Sequence, residues 1–302
     1  MPGITFNPDR DIPSLSGKVI LITGGLGAET ARQLAKHAPA HIYISGRKAS
    51  SADIVIEQIR QSGNTLVTFL QCDLADLRLV QKMADLFLAR ESRLDVLMCN
   101  AGIMATPLGL TADGYEVQFG TNHLGHALLI QKLLPRLQAT AGEGKDVRIF
   151  LLTSLAYRMY PRGGVVFEHL STTQEYSALG GWVRYGQSKL ANMLYARELA
   201  RRYPTLTSIS VTPGAVNTGL LDNLGCFGRA FIWVMSLGRV LRPEEGAYNQ
   251  LWAATTARPD LQNGQFHEPV GILSTKLKAT ARDEDLAKRL WDWTDEALRP
   301  YL

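Results

Sequence analysis

Apolar runs and amphipathic segments alternate along the first two thirds of this chain. The apolar runs, rich in β-branched residues, cover residues 18–23, 41–45, 66–71, 95–98, 147–153 and 208–211. The segments with helical spacing cover residues 29–37, 52–61, 76–90, 115–138 and 185–202. Short apolar runs are typical of strands buried on both faces, and parallel strands need long crossovers between them. The pattern therefore predicts a parallel sheet covered by helices on both faces.

The order of these elements predicts a single α/β domain over residues 1–302, built on a doubly wound parallel sheet of the Rossmann type. With 302 residues and 46% hydrophobic content, the chain can bury a core of the size such a domain needs. Ligands of open α/β sheets bind beyond the carboxyl ends of the strands. The residues directly after each strand are therefore the candidates for a binding site.

Composition and charge limit the classes of partner. The net charge is only +4, and the basic residues are scattered, so the sequence predicts no nucleic-acid partner. Cys72, Cys99 and Cys226 lack metal-ligand spacing, which is typical of a reducing compartment. The polar N-terminal segment and the lack of a run of about 18 apolar residues predict a cytoplasmic protein without a membrane span.

The segment 230–237, with the sequence AFIWVMSL, is the most apolar stretch of the C-terminal third, and it lies between Arg229 and Arg239. Two interpretations stay open for it. It could cover a substrate pocket, or it could make a peripheral contact with a membrane surface.

Two turns suggest an anionic ligand. The turn from Thr23 to Ala28 carries three glycines, which let a backbone approach a pyrophosphate at a helix N-terminus. After the second strand come Arg47 and Lys48, with no acidic residue to bind a ribose diol. This pair favours the 2′-phosphate of NADP(H) over NAD(H), and Arg47 is the better partner because its guanidinium binds oxyanions bidentately. A purely structural turn and a solvated basic loop are the alternatives.

Tyr185 and Lys189 lie four residues apart in a helical segment, so they share one helix face. A lysine ammonium beside a phenol favours the phenolate, and we expect it to lower the pKa of Tyr185 from its usual value of about 10. That makes Tyr185 a candidate general acid and base. Alone, the pair is also compatible with a solvated lysine beside a half-buried tyrosine.

Several motifs occur in an order that is more specific than any one of them. They are Thr23-Gly24 to Gly27, Asp73, Asn100-Ala101-Gly102, Asn122, Ser154, Tyr185 with Lys189, and Pro213-Gly214 with Thr218. Together they resemble the short-chain dehydrogenase/reductase (SDR) family over about residues 18–218. The segments 122–126 and 243–247 most resemble its retinol-dehydrogenase-like and fungal reductase members.

The resemblance implies a cofactor half at about 17–145 and a catalytic and substrate half at about 146–302. It implies a catalytic set of Asn122, Ser154, Tyr185 and Lys189, in which Asn122 holds a proton-relay water near the lysine. Thr153 precedes Ser154, and the family pattern favours the second hydroxyl. The implied cofactor contacts are Gly24, Gly25, Leu26, Gly27, Arg47, Lys48, Asp73, Leu74, Asn100, Ala101, Gly102, Tyr185, Lys189, Pro213, Gly214, Val216 and Thr218.

The implied reaction is reversible hydride transfer between NADP(H) and a carbonyl or a primary or secondary alcohol, with no metal required. The regions that wall the substrate pocket in this family are rich in apolar residues here, which suggests a bulky apolar small molecule. The candidate substrate contacts are Leu155, Tyr157, Trp182, Leu220 and Phe231. Core packing is the alternative for each of them, as helix capping is for Asp73 and core amide bonding for Asn122. Many SDR relatives form homo-oligomers, and the sequence does not exclude one here.

The glycine-rich turn departs from the family pattern of Thr-Gly-x-x-x-Gly-x-Gly. Here Thr23-Gly24 is joined directly to Gly25-Leu26-Gly27, which makes the turn three residues short. Because each residue spans only about 3.5 Å, we expect the helix start to be drawn toward the sheet or partly unwound. Two hypotheses follow: an active NADP(H)-dependent oxidoreductase that tolerates the short turn, or a catalytically silent SDR-like protein, either a binding or scaffold module or a splice or gene-model variant.

Overall fold

The computed structural model describes residues 4–24, 27–177, 179–217, 224–236 and 238–302. Its strands are β1 Val19–Thr23, β2 His41–Gly46, β3 Leu66–Gln71, β4 Val96–Cys99, β5 Arg148–Leu152, β6 Thr207–Val211, β7 Phe266–Glu268 and β8 Ile272–Leu273. Within the described ranges they form one sheet in the order β3-β2-β1-β4-β5-β6-β7-β8. All neighbours pair in parallel except β7 and β8, which are antiparallel.

The helices are α1 Pro8–Asp11, α2 Gly27–Ala35, α3 Ala49–Ser62, α4 Leu77–Leu88, α5 Val117–Phe119, α6 Gly125–Gly142, α7 Gly180–Arg202, α8 Cys226–Met235, α9 Pro243–Thr255 and α10 Glu284–Leu298. A π-helical turn, Gly120–Leu124, joins α5 to α6. A 3-10 turn, Leu155–Arg158, follows β5. None of the helices in the described ranges is both long enough and apolar enough to span a membrane.

Strand β1 shows why a strand at the centre of the sheet is largely apolar. All five of its residues are buried. Val19 and Leu21 join the core beneath α4, α6, α7 and α10, while Ile20 and Ile22 join the core beneath α2, α3 and α9. Successive side chains of a strand point to opposite faces, so a strand covered on both faces needs apolar side chains on both. The predicted doubly wound α/β domain is confirmed.

The predicted strands all form, and their ends agree to within one or two residues. Three differences have local causes. The segment predicted as one helix over 115–138 is divided by the π-helical turn, and α7 begins five residues before Tyr185. Strands β7 and β8 are only three and two residues long, too short to give a periodic signal.

The strand order reverses between β1 and β4. Such a reversal leaves a crevice beyond the carboxyl ends of the two strands. Gly24 follows β1, Asn100 follows β4, and Ser154 lies two residues beyond the end of the neighbouring β5. The fold therefore brings the residues that follow these strands to one edge of the sheet.

Candidate active site

The ends of β1 and β4 are fastened to each other by hydrogen bonds. The Thr23 hydroxyl oxygen accepts the backbone N–H groups of Asn100 at 2.9 Å and Ala101 at 3.0 Å. In return, the Asn100 side-chain amide donates to the Thr23 carbonyl at 2.7 Å and to the Gly24 carbonyl. The segment Asn100-Ala101-Gly102 is thereby held at the crevice, where the sequence placed a cofactor contact.

Asn122 lies within the π-helical turn and is fully buried. Its side-chain oxygen accepts the Ile103 N–H at 2.8 Å, and its amide donates to the Ile103 carbonyl at 2.9 Å and to the Ser188 hydroxyl at 3.0 Å. These bonds join the start of α6 to the loop after β4 and to α7. The side chain of Asn122 thus forms hydrogen bonds within the core, as the core-amide interpretation expects. Ile103, which makes two of these bonds, was not marked by the motifs.

Lys189 is held at the end of β5 by short polar contacts. Its ammonium donates to the Leu152 carbonyl at 3.1 Å, and Asn192 donates to the same carbonyl at 3.0 Å. Lys189 Nζ lies 5.6 Å from the centre of the Tyr185 ring. The predicted pair therefore shares one face of α7, directed at the crevice.

Gly102 sits between this lysine and Asn122. A Cβ atom at position 102 would lie 3.0 Å from Asn122 Oδ1 and 3.4 Å from Lys189 Nζ. Within the described part of the chain, Lys189 Nζ donates to the Leu152 carbonyl alone, so two of its three hydrogens remain for a ligand. The space beside Gly102 is therefore lined by donor and acceptor groups.

Burial, and not the neighbouring ammonium, decides the protonation of Tyr185. Burial raises the pKa of Tyr185 to about 12, and a hydrogen bond with Ser154 opposes that rise. Burial also lowers the pKa of Lys189, to about 8. The expected lowering of the Tyr185 pKa is thus wrong for this structure, because desolvation disfavours both charged forms. At neutral pH the phenol keeps its proton.

The structure separates the roles of the adjacent hydroxyls after β5. Thr153 is buried and donates to the Lys189 carbonyl at 2.8 Å, which attaches α7 to the strand end. The Ser154 hydroxyl caps the following 3-10 turn by accepting the Ala156 N–H at 3.2 Å, and it bonds with Tyr185. Ser154 is therefore the hydroxyl beside the phenol, as the family pattern implies.

Apolar residues surround Tyr185. Met104 packs directly against it, with Ala105, Ala156, Trp182, Leu224 and Ile232 around the pair. Trp182 meets the Tyr185 ring edge to face, with 6.3 Å between ring centres. Sequence reasoning missed Met104, although it follows the Asn100-Ala101-Gly102 motif by two residues.

The other candidate substrate contacts are placed differently. Leu155 is exposed to solvent beside this cluster. Tyr157 does not face the crevice, because its fully buried ring packs against Phe266 in the main core and its hydroxyl accepts the Lys278 N–H. Leu220 and the side chain of Phe231 lie outside the described residues.

The candidate contacts for the far end of a dinucleotide lie along the edge of the sheet. Arg47 and Lys48 are exposed between β2 and α3. One Asp73 oxygen accepts the Ala75 N–H at 3.0 Å, while Asp76, and not Asp73, caps α4. Leu74 is buried, and its carbonyl packs against Gly125.

Beyond β6, at the opposite end of the crevice, three more of the predicted contacts are described. Gly214 adopts a positive φ of 84° after Pro213, and Val216 is buried and pairs with Leu241. Gly25, Leu26 and Thr218, also predicted to contact the cofactor, lie outside the described residues.

Helix α2 begins in close contact with β1. The Gly27 N–H donates to the Gly24 carbonyl at 2.9 Å, and a Cβ atom at Gly27 would lie 2.6 Å from Ile22 Cγ2. The start of the helix thus packs directly against the strand. One N–H that could bind an anion at this terminus is already used.

The residues present fit the two riboses of a nicotinamide dinucleotide better than they fit its pyrophosphate. Among the described residues, Asn100 Oδ1 is buried without a hydrogen-bond partner, so it could accept from a ribose hydroxyl. The free hydrogens of Lys189 suit the second ribose in the same way. The pyrophosphate would have to be held by the short turn.

Comparisons with known proteins identify the family of this chain. The family model for short chain dehydrogenase matches residues 18–225. The short-chain dehydrogenase/reductase drtF of Aspergillus calidoustus is 37% identical, with 95% of this chain and 96% of that protein covered. Human retinol dehydrogenase 11 is 36% identical, with 92% of this chain and 85% of that protein covered.

A solved structure has the same fold over almost its whole length. The crystal structure of an uncharacterized protein from Mycobacterium Paratuberculosis superposes with a TM-score of 0.75 at 29% identity, covering 99% of this chain and 98% of that one. The matched family residues include β1, the crevice and the helix that carries Tyr185 and Lys189. The chain therefore belongs to the short-chain dehydrogenase/reductase family of NAD(P)-dependent oxidoreductases.

Proposed function

We propose that this protein is an NADP(H)-dependent oxidoreductase that transfers a hydride between the nicotinamide and a carbonyl or alcohol group of a bulky apolar molecule. The observation that carries the proposal is the buried pair of Tyr185 and Lys189, with Ser154 bonded to the phenol and Asn122 one helix away. A phenol and an ammonium buried together are unfavourable for folding, which is typical of groups retained for chemistry.

The nicotinamide, when bound, supplies or accepts the hydride. Ser154 donates a hydrogen bond to the substrate oxygen and fixes its position beside Tyr185. Tyr185 gives that oxygen its proton in the reductive direction and takes it back in the oxidative direction. Because the Tyr185 pKa is raised to about 12, the phenol already holds the proton that reduction needs.

Lys189 has two roles in this proposal. Its two free hydrogens hold the nicotinamide ribose, and its charge stabilises the phenolate that forms when Tyr185 has lost its proton. Arg47 and Lys48 bind the 2′-phosphate, since both are exposed and the described turn around them carries no carboxylate. Met104, Trp182 and Ile232 provide an apolar wall, which supports an apolar substrate.

The short turn favours a second candidate, a catalytically silent SDR-like protein. With α2 drawn onto Ile22, the backbone available to a pyrophosphate is reduced. In this case the fold persists through its core, and the site retains its side chains without binding cofactor.

Titration with NADPH and with NADH separates the two candidates. Trp182 meets the Tyr185 ring, so nicotinamide binding is expected to quench tryptophan fluorescence. We expect saturable binding that is tighter for NADPH, followed by NADPH oxidation when bulky apolar ketones and aldehydes are supplied. If neither cofactor gives a saturable signal, and equilibrium dialysis agrees, the silent protein is the correct alternative.

A further inference from the structure

We propose that His126 is a positioning residue of the proposed oxidoreductase site. Held as its Nδ1–H tautomer, it connects the end of β1 to the backbone carbonyl of Asn122. The proposal rests on the proposed function for its kinetic consequence, while its structural claim stands on hydrogen bonds alone. None of the motifs discussed above assigns a role to this side chain.

The hydrogen bonds around His126 determine which of its nitrogens carries the proton. His126 is fully buried, with Nε2 at 2.9 Å from Thr23 Oγ1 and Nδ1 at 3.0 Å from the Asn122 carbonyl oxygen. A carbonyl can only accept, so Nδ1 must donate to it. Thr23 Oγ1 already accepts the N–H groups of Asn100 and Ala101, so its own hydrogen points to Nε2. The other acceptor for that hydrogen, the Met98 carbonyl, is farther away at 3.4 Å.

The neutral ring that this network needs is the form that the surroundings favour. Burial lowers the pKa of His126 to about 4, and the nearby Lys189 ammonium acts in the same direction. The ring is therefore neutral throughout the neutral range of pH.

The hydrogen bond from His126 holds the backbone from which the Asn122 side chain projects. Asn122 Oδ1 accepts one hydrogen bond, from the Ile103 N–H, so its second lone pair remains. That oxygen and Lys189 Nζ line the same space beside Gly102, where a water could join them. A shift of the Asn122 backbone moves Oδ1, and small errors in position slow proton transfer strongly.

The hydrogen bond between His126 and Thr23 acts on the segment that is proposed to contact the cofactor. By accepting the Thr23 hydrogen, His126 turns the lone pairs of Thr23 Oγ1 toward Asn100 and Ala101. One imidazole thus couples the strand end that holds the cofactor segment to the turn that holds the proton relay. Different substitutions at His126 can remove the hydrogen bond at Nδ1 or the one at Nε2 separately.

The test compares His126→Asn with His126→Gln. An asparagine amide occupies the place of Nδ1 and keeps a donor for the Asn122 carbonyl, whereas a glutamine reaches the place of Nε2 and keeps only the Thr23 end. We expect kcat to fall about 10-fold in His126→Gln, with a larger solvent isotope effect, and to stay within about 3-fold of wild type in His126→Asn. We expect NADPH to bind more weakly to His126→Asn than to His126→Gln.

His123 provides the matched control. It is equally buried three residues earlier, but its ring lies beside Thr294 of α10 and Asn192 of α7 and makes no hydrogen bond to Thr23 or to the Asn122 carbonyl among the described residues. His123→Gln is expected to lower stability while leaving kcat and the solvent isotope effect unchanged. Equal kcat values in the two His126 variants, or an equal loss in His123→Gln, would overturn the kinetic claim.

The tautomer is measured without turnover. Nitrogen-15 NMR of the wild-type protein should show His126 protonated at Nδ1, and a proton at Nε2 would overturn the proposal whatever the kinetics. If the wild type turns over no carbonyl substrate, the proposed function fails. The NMR result then decides the His126 link by itself.

Discussion

The two ends of the crevice are built differently. At the catalytic end, Asn122, Tyr185 and Lys189 are all buried, and each is fixed by packing or by hydrogen bonds to a different element. At the phosphate end, Arg47 and Lys48 are exposed, and the Gly27 N–H at the start of α2 is already bonded to the Gly24 carbonyl. The groups proposed to handle protons are therefore held in place by the fold, while the two cations proposed to bind phosphate are exposed.

This difference predicts that substitutions at the two ends act on different quantities. A buried ammonium and a buried phenol retain their geometry without a ligand, because the surrounding core holds them. Exposed cations contribute little until an anion orders them. Substitutions at the catalytic end should act on kcat, and changes at the phosphate end should act on cofactor affinity.

The largest effect is expected from Tyr185→Phe. Removing the phenolic hydroxyl removes the general acid, so we expect kcat to fall about 100- to 10,000-fold while NADPH affinity changes less than about 2-fold. Steady-state kinetics and fluorescence titration measure the two quantities. Tyr195→Phe, at a buried core tyrosine on the same helix, should keep kcat within about 2-fold. Near-normal turnover in Tyr185→Phe would show that Tyr185 is not the general acid.

Lys189→Met should stabilise the cofactor-free protein although it impairs turnover. Folding lowers the Lys189 pKa from 10.5 to about 8, so at pH 7 the buried charge destabilises the native state, by about 3 kcal/mol at 1.36 kcal/mol per pKa unit. The Leu152 carbonyl keeps its bond from Asn192. We therefore expect a higher free energy of unfolding in urea at pH 7.

The pH dependence of stability tests whether the buried charge of Lys189 causes that difference in the free energy of unfolding. Between pH 8 and 10.5 the unfolded chain binds the Lys189 proton more tightly than the native state, so wild-type stability rises with pH relative to Lys189→Met. The Tyr185 pKa is raised, so its contribution is lost only as pH rises from 10 through 12. The stability gap between the two proteins should thus narrow from pH 7 to pH 10. A gap that is constant with pH would show that desolvation is not its cause.

At the phosphate end, restoring three residues between Gly24 and Gly25 should tighten NADPH binding about 10-fold, which corresponds to about 1.4 kcal/mol. The longer turn releases the start of α2 from Ile22 and frees backbone N–H groups for the pyrophosphate. Calorimetric titration measures the change. The same insertion beside Gly63, where a Cβ atom would meet nothing within 4 Å, is the control. Unchanged affinity would mean that the short turn already admits the pyrophosphate.

The smallest effect is expected from Arg47→Gln. Losing one charged hydrogen bond to the 2′-phosphate should weaken NADPH binding by up to about 10-fold and leave NADH binding unchanged, since NADH has no such phosphate. Arg60→Gln, at an exposed arginine of α3, is the matched control. Equal effects on both cofactors would place Arg47 away from the 2′-phosphate.

Much of the fold could be predicted because its signals are local. A strand buried on both faces is largely apolar, so β1 and β4 are the clearest strands in the sequence. The motifs after these strands marked Asn100 and Ser154 because a parallel sheet places all its strand ends at one edge, and helical spacing paired Tyr185 with Lys189. Met104, Ile103 and His126 gave no such signal, since their roles come from partners that are distant in the sequence.

The sequence by itself determined the alternation of strands and helices, the family, and the pairing of Tyr185 with Lys189 on one helix face. Only the tertiary structure decided what that pair does to its own protons. Four residues of helix bring a cation near the phenol, but burial against Met104 and the strand ends raises the Tyr185 pKa instead of lowering it. Desolvation depends on every element packed around a group, so no local pattern could have given its size or its sign.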